Sequence, residues 1–287
     1  MRVDGDLVLS FATVRPPLIL WNCHVSACPN FLQTTFPFLT LSGSRLEYGL
    51  IGDRMRVDAG LFCRDGFTAK GDVRLLGAQI GGDADFSKAT LDNPGSNALS
   101  ADRIRITGSL FCSNGFVTRG NVILPLAKID GIFEWKPATW SGRLQMMHAR
   151  AGQWRDSWNG SRWTCDGEPR IDLRDFSYGT FVAAPPSTDA ESRIAWVKAS
   201  LGDSFSPGPY ETLANALRAS GDDEGANTVA LEKRRHQTRH RLRTDVPPSR
   251  RTRFRFALTG LVLDLTTGYG YRPWRGLRWL VHFFVLG

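Results

Sequence analysis

The chain has 287 residues, 42% of them hydrophobic and 22% charged, which excludes disorder throughout and leaves room for one or two cored domains. Its net charge of +8 is unevenly placed: residues 1–180 carry 20 Lys/Arg against 18 Asp/Glu, and residues 181–287 carry 16 against 10. Ten basic residues fall between Lys233 and Arg255 with only Asp245 opposing them, so the basicity is a local patch that attracts the phosphates of nucleic acid or anionic lipid.

The opening MRVDGDLVLS has no long apolar run after its basic residue, so no secretory signal is expected and the five cysteines are expected as reduced thiols. Cys23-His24 with Cys28 is the nearest approach to a zinc set, but PLILWNCHVSACP reads better as a coil of the pattern that follows. Shifted by 49 residues, DRMRVDAGLFCRDGFTAKGDVRLLGAQIGG (Asp53 to Gly82) falls on DRIRITGSLFCSNGFVTRGNVILPLAKIDG (Asp102 to Gly131). Arg54/Arg103, Arg56/Arg105, Leu61/Leu110, Cys63/Cys112 and Val73/Val122 are among the identities. Inside the repeat runs a finer beat of Gly followed by alternating triplets, as in GDVRL, GSLFC and GNVIL, with starts 12 then 11 residues apart. Alternation at period two is a strand signal, and short strands parted by Gly at this spacing suit a β-solenoid with ~20–25 residues per coil. Cys63 and Cys112 then hold one structural position used twice. They are expected as small buried core residues about two coils, roughly 10 Å, apart, too far for a disulfide.

Asp83 and Asp85 share a strand face and could serve acid–base or calcium chemistry, but the second repeat has Ile132 and Glu134 there. A solvated strand face is expected. Trp135, Trp140, Trp154, Trp158 and Trp163 crowd one region and are expected to pack the core and end of the solenoid rather than form a ligand platform.

Ala184-Pro185-Pro186 ends the solenoid, and ESRIAWVKASL (Glu191 to Leu201) reads as a short helix. Pro209 opens a helix with Leu213, Ala216 and Leu217, Gly221 breaks it, and a second helix carries Ala226, Val229, Ala230 and Leu231. The two make a tetratricopeptide-like hairpin, read as a cap or docking element. His236 and His240 share a helix face at metal-binding spacing, but the surrounding arginines repel a cation, and a solvated basic face is expected. The apolar runs Phe256–Leu265 and Leu277–Leu286 are each shorter than the ~20 residues that span a bilayer. Trp274 and Trp279 beside Arg275 and Arg278 suit a membrane interface. Either Phe256–Leu265 is an interfacial helix and Leu277 starts a membrane helix that the sequence cuts short, or both runs lie on the membrane surface, or both pack on the end of the solenoid.

VRLLGAQIGGDADFSKATLDNPG resembles the solenoid of a large bacterial group of pentapeptide-repeat-like membrane proteins, many of whose actinobacterial members carry the name "membrane-associated oxidoreductase". RIDLRDFSYG is similar to the group's terminal coil, SPGPYETLANALRASGDDEGANTVALEKRRH to its helical hairpin, and GYGYRPWRGLRWL to its membrane-proximal motif. The resemblance implies a mainly β architecture: a right-handed parallel β-helix over residues 1–180, a linker with a short helix over 181–205, a helical hairpin over 206–242, and a basic, apolar tail over 243–287. It also implies that the chain continues into membrane helices beyond this end.

No nucleotide-binding glycine loop, nucleophile elbow or zinc set is found, and no cofactor or metal is predicted. The expected role is a non-catalytic scaffold on the cytoplasmic face of the cell membrane, with an unidentified protein partner. Arg250, Arg251, Arg253, Arg255, Trp274, Arg275, Arg278 and Trp279 are the expected lipid contacts. The resemblance implies the alternative of a membrane-associated oxidoreductase. A second alternative is nucleic-acid binding through the basic tract.

Overall fold

A computed structural model describes residues 1–158, 164–165, 168–169, 171–182 and 189–244. The chain winds into a parallel β-solenoid of about seven turns, followed, among the described residues, by three helices. Each coil takes about 22 residues, as His24 pairs with Arg45 and Thr68 with Thr90. Successive strands in one coil occupy four faces. Through the coil that starts at Arg45 these are Arg45–Leu46, Leu50–Ile51, Arg56–Val57 and Leu61–Phe62, which we call the first to fourth faces. Strands of the first two faces join one 11-stranded sheet, and those of the last two a 12-stranded sheet.

The 49-residue repeat is two coils: Arg56 pairs with Gln79, and Gln79 with Arg105. The beat of 11 and 12 residues is half a coil, because Gly marks two of the four corners. Gly71 and Gly120 turn from first to second face at φ 90° and 122°. Gly81, Gly108, Gly131 and Gly152, near the turn from third to fourth face, lie so close to the backbone of the coil before that a Cβ would collide with it.

The other two corners lacked a sequence signal because they are not built on Gly alone. Between second and third faces, Gln33, Arg54, Arg103, Leu126, His148 and Asp175 take left-handed conformations at φ 53–58°. The turns close by a backbone bond from the next residue to the residue two before, as from Met55 N to Gly52 O at 3.2 Å. These turns stack, so Arg54 N donates to Leu76 O and Arg103 N to Pro125 O. Each coil therefore holds the strained corner of its neighbour in place.

Inward residues form vertical rows. The third face buries Val57, Ile80, Ile106 and Ile129, and the fourth buries Leu61, Ala84, Leu110 and Phe133. Toward the C-terminal end the core becomes aromatic: Phe116, Trp135, Phe133, Trp154 and Phe176 form a run of edge-to-face contacts with centroids 5.1–6.3 Å apart.

Helix α1 (Ala190–Leu201) closes this end, with Asp189 capping its N-terminus by accepting from Ser192 N. Trp196 sits among Trp154, Tyr178 and Phe181. Helices α2 (Pro207–Ala219) and α3 (Asp223–Thr244) form the expected hairpin, with Gly221 at φ 84° in the turn. Pro207, rather than Pro209, takes the first helical position, where its missing N–H costs nothing. The Thr212 hydroxyl of α2 donates to Phe176 O, and Lys198 of α1 meets Glu232 of α3 at 2.8 Å. The short helix expected in the linker is thus the cap itself, with the hairpin packed on it.

Candidate functional site

Cys63 and Cys112 are fully buried on the fourth face, with Phe86 on the coil between them. Burial, reinforced by the Asp85 carboxylate and for Cys112 also by Glu134, pushes both thiols far above their ordinary range. They are core residues and carry no thiolate chemistry. Cys23, His24 and Cys28 do not converge: Cys23 Sγ lies against Trp21 O at 3.4 Å, His24 against Glu47 at 3.5 Å, and Cys28 Sγ against Pro29 O at 3.8 Å. Among the described residues no group of three His, Cys, Asp or Glu could hold a metal ion.

The expectation of a solvated Asp83–Asp85 face needs correction. Asp83 Oδ1 accepts from Ser109 N of the next coil at 2.7 Å. Asp85 is buried and accepts from Ser87 N at 2.8 Å and Arg64 Nη1 at 3.1 Å. Two coils on, Glu134 repeats the arrangement: it accepts from the Ser113 hydroxyl at 3.0 Å and meets Lys136 and Arg155 at 3.2 and 3.4 Å. An outward carboxylate between flat rows of Phe62 and Phe111 is shielded from water, so it needs these donors. The sequence held the signal in Glu134, the repeat partner of Asp85.

On the first face Glu47 gathers two cations, Arg45 at 2.6 Å and Lys70 at 2.8 Å, with the His24 ring at 3.5 Å. The hydrogen bonds from Lys70 and Arg45 hold its carboxyl down to about 2.

The Trp cluster is structural where it is described: Trp135, Trp154 and Trp158 are buried, and Trp140 packs on the core. Trp163 lies outside the described residues. At the centre of the cluster is a buried ion pair that joins the solenoid to α1. Asp156 occupies the inward row position held by Cys112 and Trp135 in the coils before. It is fully buried, and Arg193 of α1, equally buried, forks onto it at 2.7 and 3.0 Å. Trp154 Nε1 and Trp158 N donate to the same carboxylate. The guanidinium also lies over the Phe181 ring at 4.4 Å.

Two clefts flank the cap. One, of about 690 Å³, runs between the last coils and the α1–α2 turn, with Arg143, Gln145, Asp172, Arg174 and Asp203 on its walls. The other, of about 390 Å³, shares Gly202 and Asp203 and is walled by His236, Arg239, His240 and Arg243. His236 corrects the solvated-face expectation in part: its Nδ1 shares a 2.8 Å hydrogen bond with the Tyr210 hydroxyl, and Phe205 meets its ring edge-on. Burial, with Lys198 and Arg239 nearby, lowers its pKa. α3 is cationic as expected, with Arg234 and Arg241 exposed on one side and Arg239 and Arg243 exposed along the cleft. Arg250, Arg251, Arg253, Arg255, Trp274, Arg275, Arg278 and Trp279 lie outside the described residues, as do both apolar runs. Among the described residues no helix is long and apolar enough to cross a membrane.

Comparison with protein-family models, with curated proteins and with solved structures finds no match.

Proposed function

We propose that the protein is a non-catalytic, membrane-associated scaffold at the cytoplasmic face of the cell membrane, held to anionic lipid by its C-terminal end. The observation that carries this reading is the course of α3. It starts in the hairpin core with Ala226, Val229 and Leu231 and runs on along Phe205 with Arg234, Arg239, Arg241 and Arg243 exposed. It ends at Thr244, directly before the sequence that contributes Arg250, Arg251, Arg253 and Arg255 and then the Trp- and Arg-bearing apolar runs. Juxtamembrane basic clusters attract anionic lipid by about 1 kcal/mol per cation, and Trp beside Arg suits the interface. The solenoid supplies a rigid body whose buried thiols and bonded carboxylates are already committed to structure.

Liposome flotation tests the reading. The full chain and a version ending at Pro248 are compared on phosphatidylserine and phosphatidylcholine vesicles at low and high salt. Salt-resistant flotation of the full chain alone is expected. Flotation abolished by salt would reduce the tail to an electrostatic patch and favour nucleic acid as partner. Failure to float at all would sink the proposal.

A further inference from the structure

We propose that the third face of the solenoid is a second membrane contact, which lays the solenoid flat on an anionic bilayer. This deepens the membrane reading and rests on it, but a different set of residues carries it. The outward row of this face runs Arg56, Gln79, Arg105, Lys128 and Arg150, each paired in register with the next. All five are exposed. Rungs of a sheet lie ~4.8 Å apart, so the row is about 19 Å long and sets Arg105, Lys128 and Arg150 on three successive rungs.

Like charges facing each other across a sheet destabilise it. On the first face, opposite, the cost is avoided: Arg2 pairs with Asp4, Arg45 and Lys70 with Glu47, and Arg119 with Asp92. On the third face Arg56 meets Asp58 and Lys128 meets Asp130. Arg105 and Arg150 have no carboxylate within ion-pairing distance among the described residues, nor has the corner residue Arg54. The sequence repeat retains Arg54/Arg103 and Arg56/Arg105, although an exposed outward position asks only for a polar residue. Folding does not account for a like-charge column kept in register; an external anion does.

The shape of the face selects the anion. Two residues beyond Gln79 and Arg150 stand Gly81 and Gly152, so these two rungs present no second outward side chain, while Thr107 follows Arg105 and the acids Asp58 and Asp130 follow Arg56 and Lys128. Over Gly81 a hollow of about 230 Å³ is edged by three cations, Arg56, Arg105 and Lys128, with Gln79, Thr107 and one acid, Asp130, room for a lipid headgroup. The outward row contains no aromatic residue on which the bases of a single nucleic-acid strand could stack. A flat row of long cationic side chains, with no groove to set a register, complements a plane of anionic headgroups.

The test uses the full chain with Cys28→Ser and Cys165→Ser, since the other cysteines are buried. One dye is placed through Gln79→Cys on the third face, or through Thr68→Cys on the first. Phosphatidylserine vesicles carry a headgroup-attached quencher. Stronger quenching at position 79 than at 68 is expected. Arg105→Gln, Lys128→Gln and Arg150→Gln together should erase that excess while flotation through the tail persists, each lost cation weakening the contact about fivefold. Equal quenching at both positions with flotation intact would overturn the face proposal and leave the tether standing. Loss of flotation in every full-chain protein would overturn both. If the triple variant instead loses binding to a single-stranded oligonucleotide, and position 79 shows no vesicle-dependent quenching, the face belongs to nucleic acid and the proposal falls.

Discussion

Replacing Arg193 with Met should loosen the whole C-terminal end of the solenoid. The two groups form a fork of 2.7 and 3.0 Å with both side chains inaccessible to water. In the variant Asp156 keeps two neutral donors, Trp154 Nε1 at 2.6 Å and Trp158 N at 3.2 Å, but has no cation. Stranding a buried charge in this way costs ~3–5 kcal/mol. At ~2–4 °C per kcal/mol for a domain of this size, the melting midpoint should fall by roughly 6–20 °C. Because α1 covers only the last coils, the loss should be local as well. Amides of the strands Arg150–Asp156 and Ser177–Phe181 should exchange faster, while those of the coil from Arg45 to Phe62 keep their protection. Thermal unfolding followed by circular dichroism, with hydrogen exchange by mass spectrometry, reads both. The double variant Arg193→Met/Asp156→Leu strands no charge and should be less destabilised than Arg193→Met alone. A cost under ~1 kcal/mol, the range of an exposed pair, or a double variant worse than the single one, would refute the assignment of this pair as the lock between cap and coil.

Cys63 and Cys112 should resist alkylation in the native protein and react only after denaturation; native labelling at either would contradict their burial. Leu126, held at φ 57°, should tolerate Gly, and Leu126→Gly should stabilise by ~0.5–1 kcal/mol through release of left-handed strain, read as a higher denaturant midpoint. Glu47 has a folded pKa of about 2, below its ordinary 4.5, so its contribution is complete above pH 4.5 and is lost as the pH falls from there toward 2. Glu47→Gln should therefore flatten the acid side of the stability profile in that window, and an unchanged profile would remove Glu47 as its source.

The coil was legible because stacking forces each inward position to repeat. Leu61 and Leu110, Cys63 and Cys112, and Val73 and Val122 recur since each meets the same kind of neighbour above and below. The count of four faces was hidden because only the Gly corners punctuate the sequence. At the other corners Arg54, Lys88 or Leu126 bears the left-handed turn, which composition does not betray. The hairpin was readable from its apolar spacing and Gly221. The lock between Asp156 and Arg193 was not, since it joins residues far apart in the chain. A trace existed even so: Asp156 falls where the preceding coils place Trp135 and Cys112, and Arg193 interrupts a buried stripe of Ile194, Trp196 and Val197. A charge in a row reserved for apolar residues calls for a partner of opposite sign. Asp85 was misjudged for the complementary reason, as outward does not mean solvated when large rings flank the position on both rungs.

Outward positions therefore carry the information that the stacking rows cannot. On the fourth face the outward acids Asp85 and Glu134 are bonded to side chains of their own and neighbouring coils. On the first, Arg2, Arg45, Lys70 and Arg119 each meet an acid of the same or the adjacent coil, with Arg45 and Lys70 sharing Glu47. On both faces these charged groups are thus paired within the fold. Among the described residues Arg105 and Arg150 of the third face are not, and their charge has the same sign as that of α3. A basic tail alone would hold the solenoid near a bilayer in any orientation. A tail combined with a cationic flank would fix one orientation, with the third face down and the opposite first face turned away from the bilayer. In that arrangement the first face points away from the bilayer, so charge reversal at Glu47 should leave flotation unchanged.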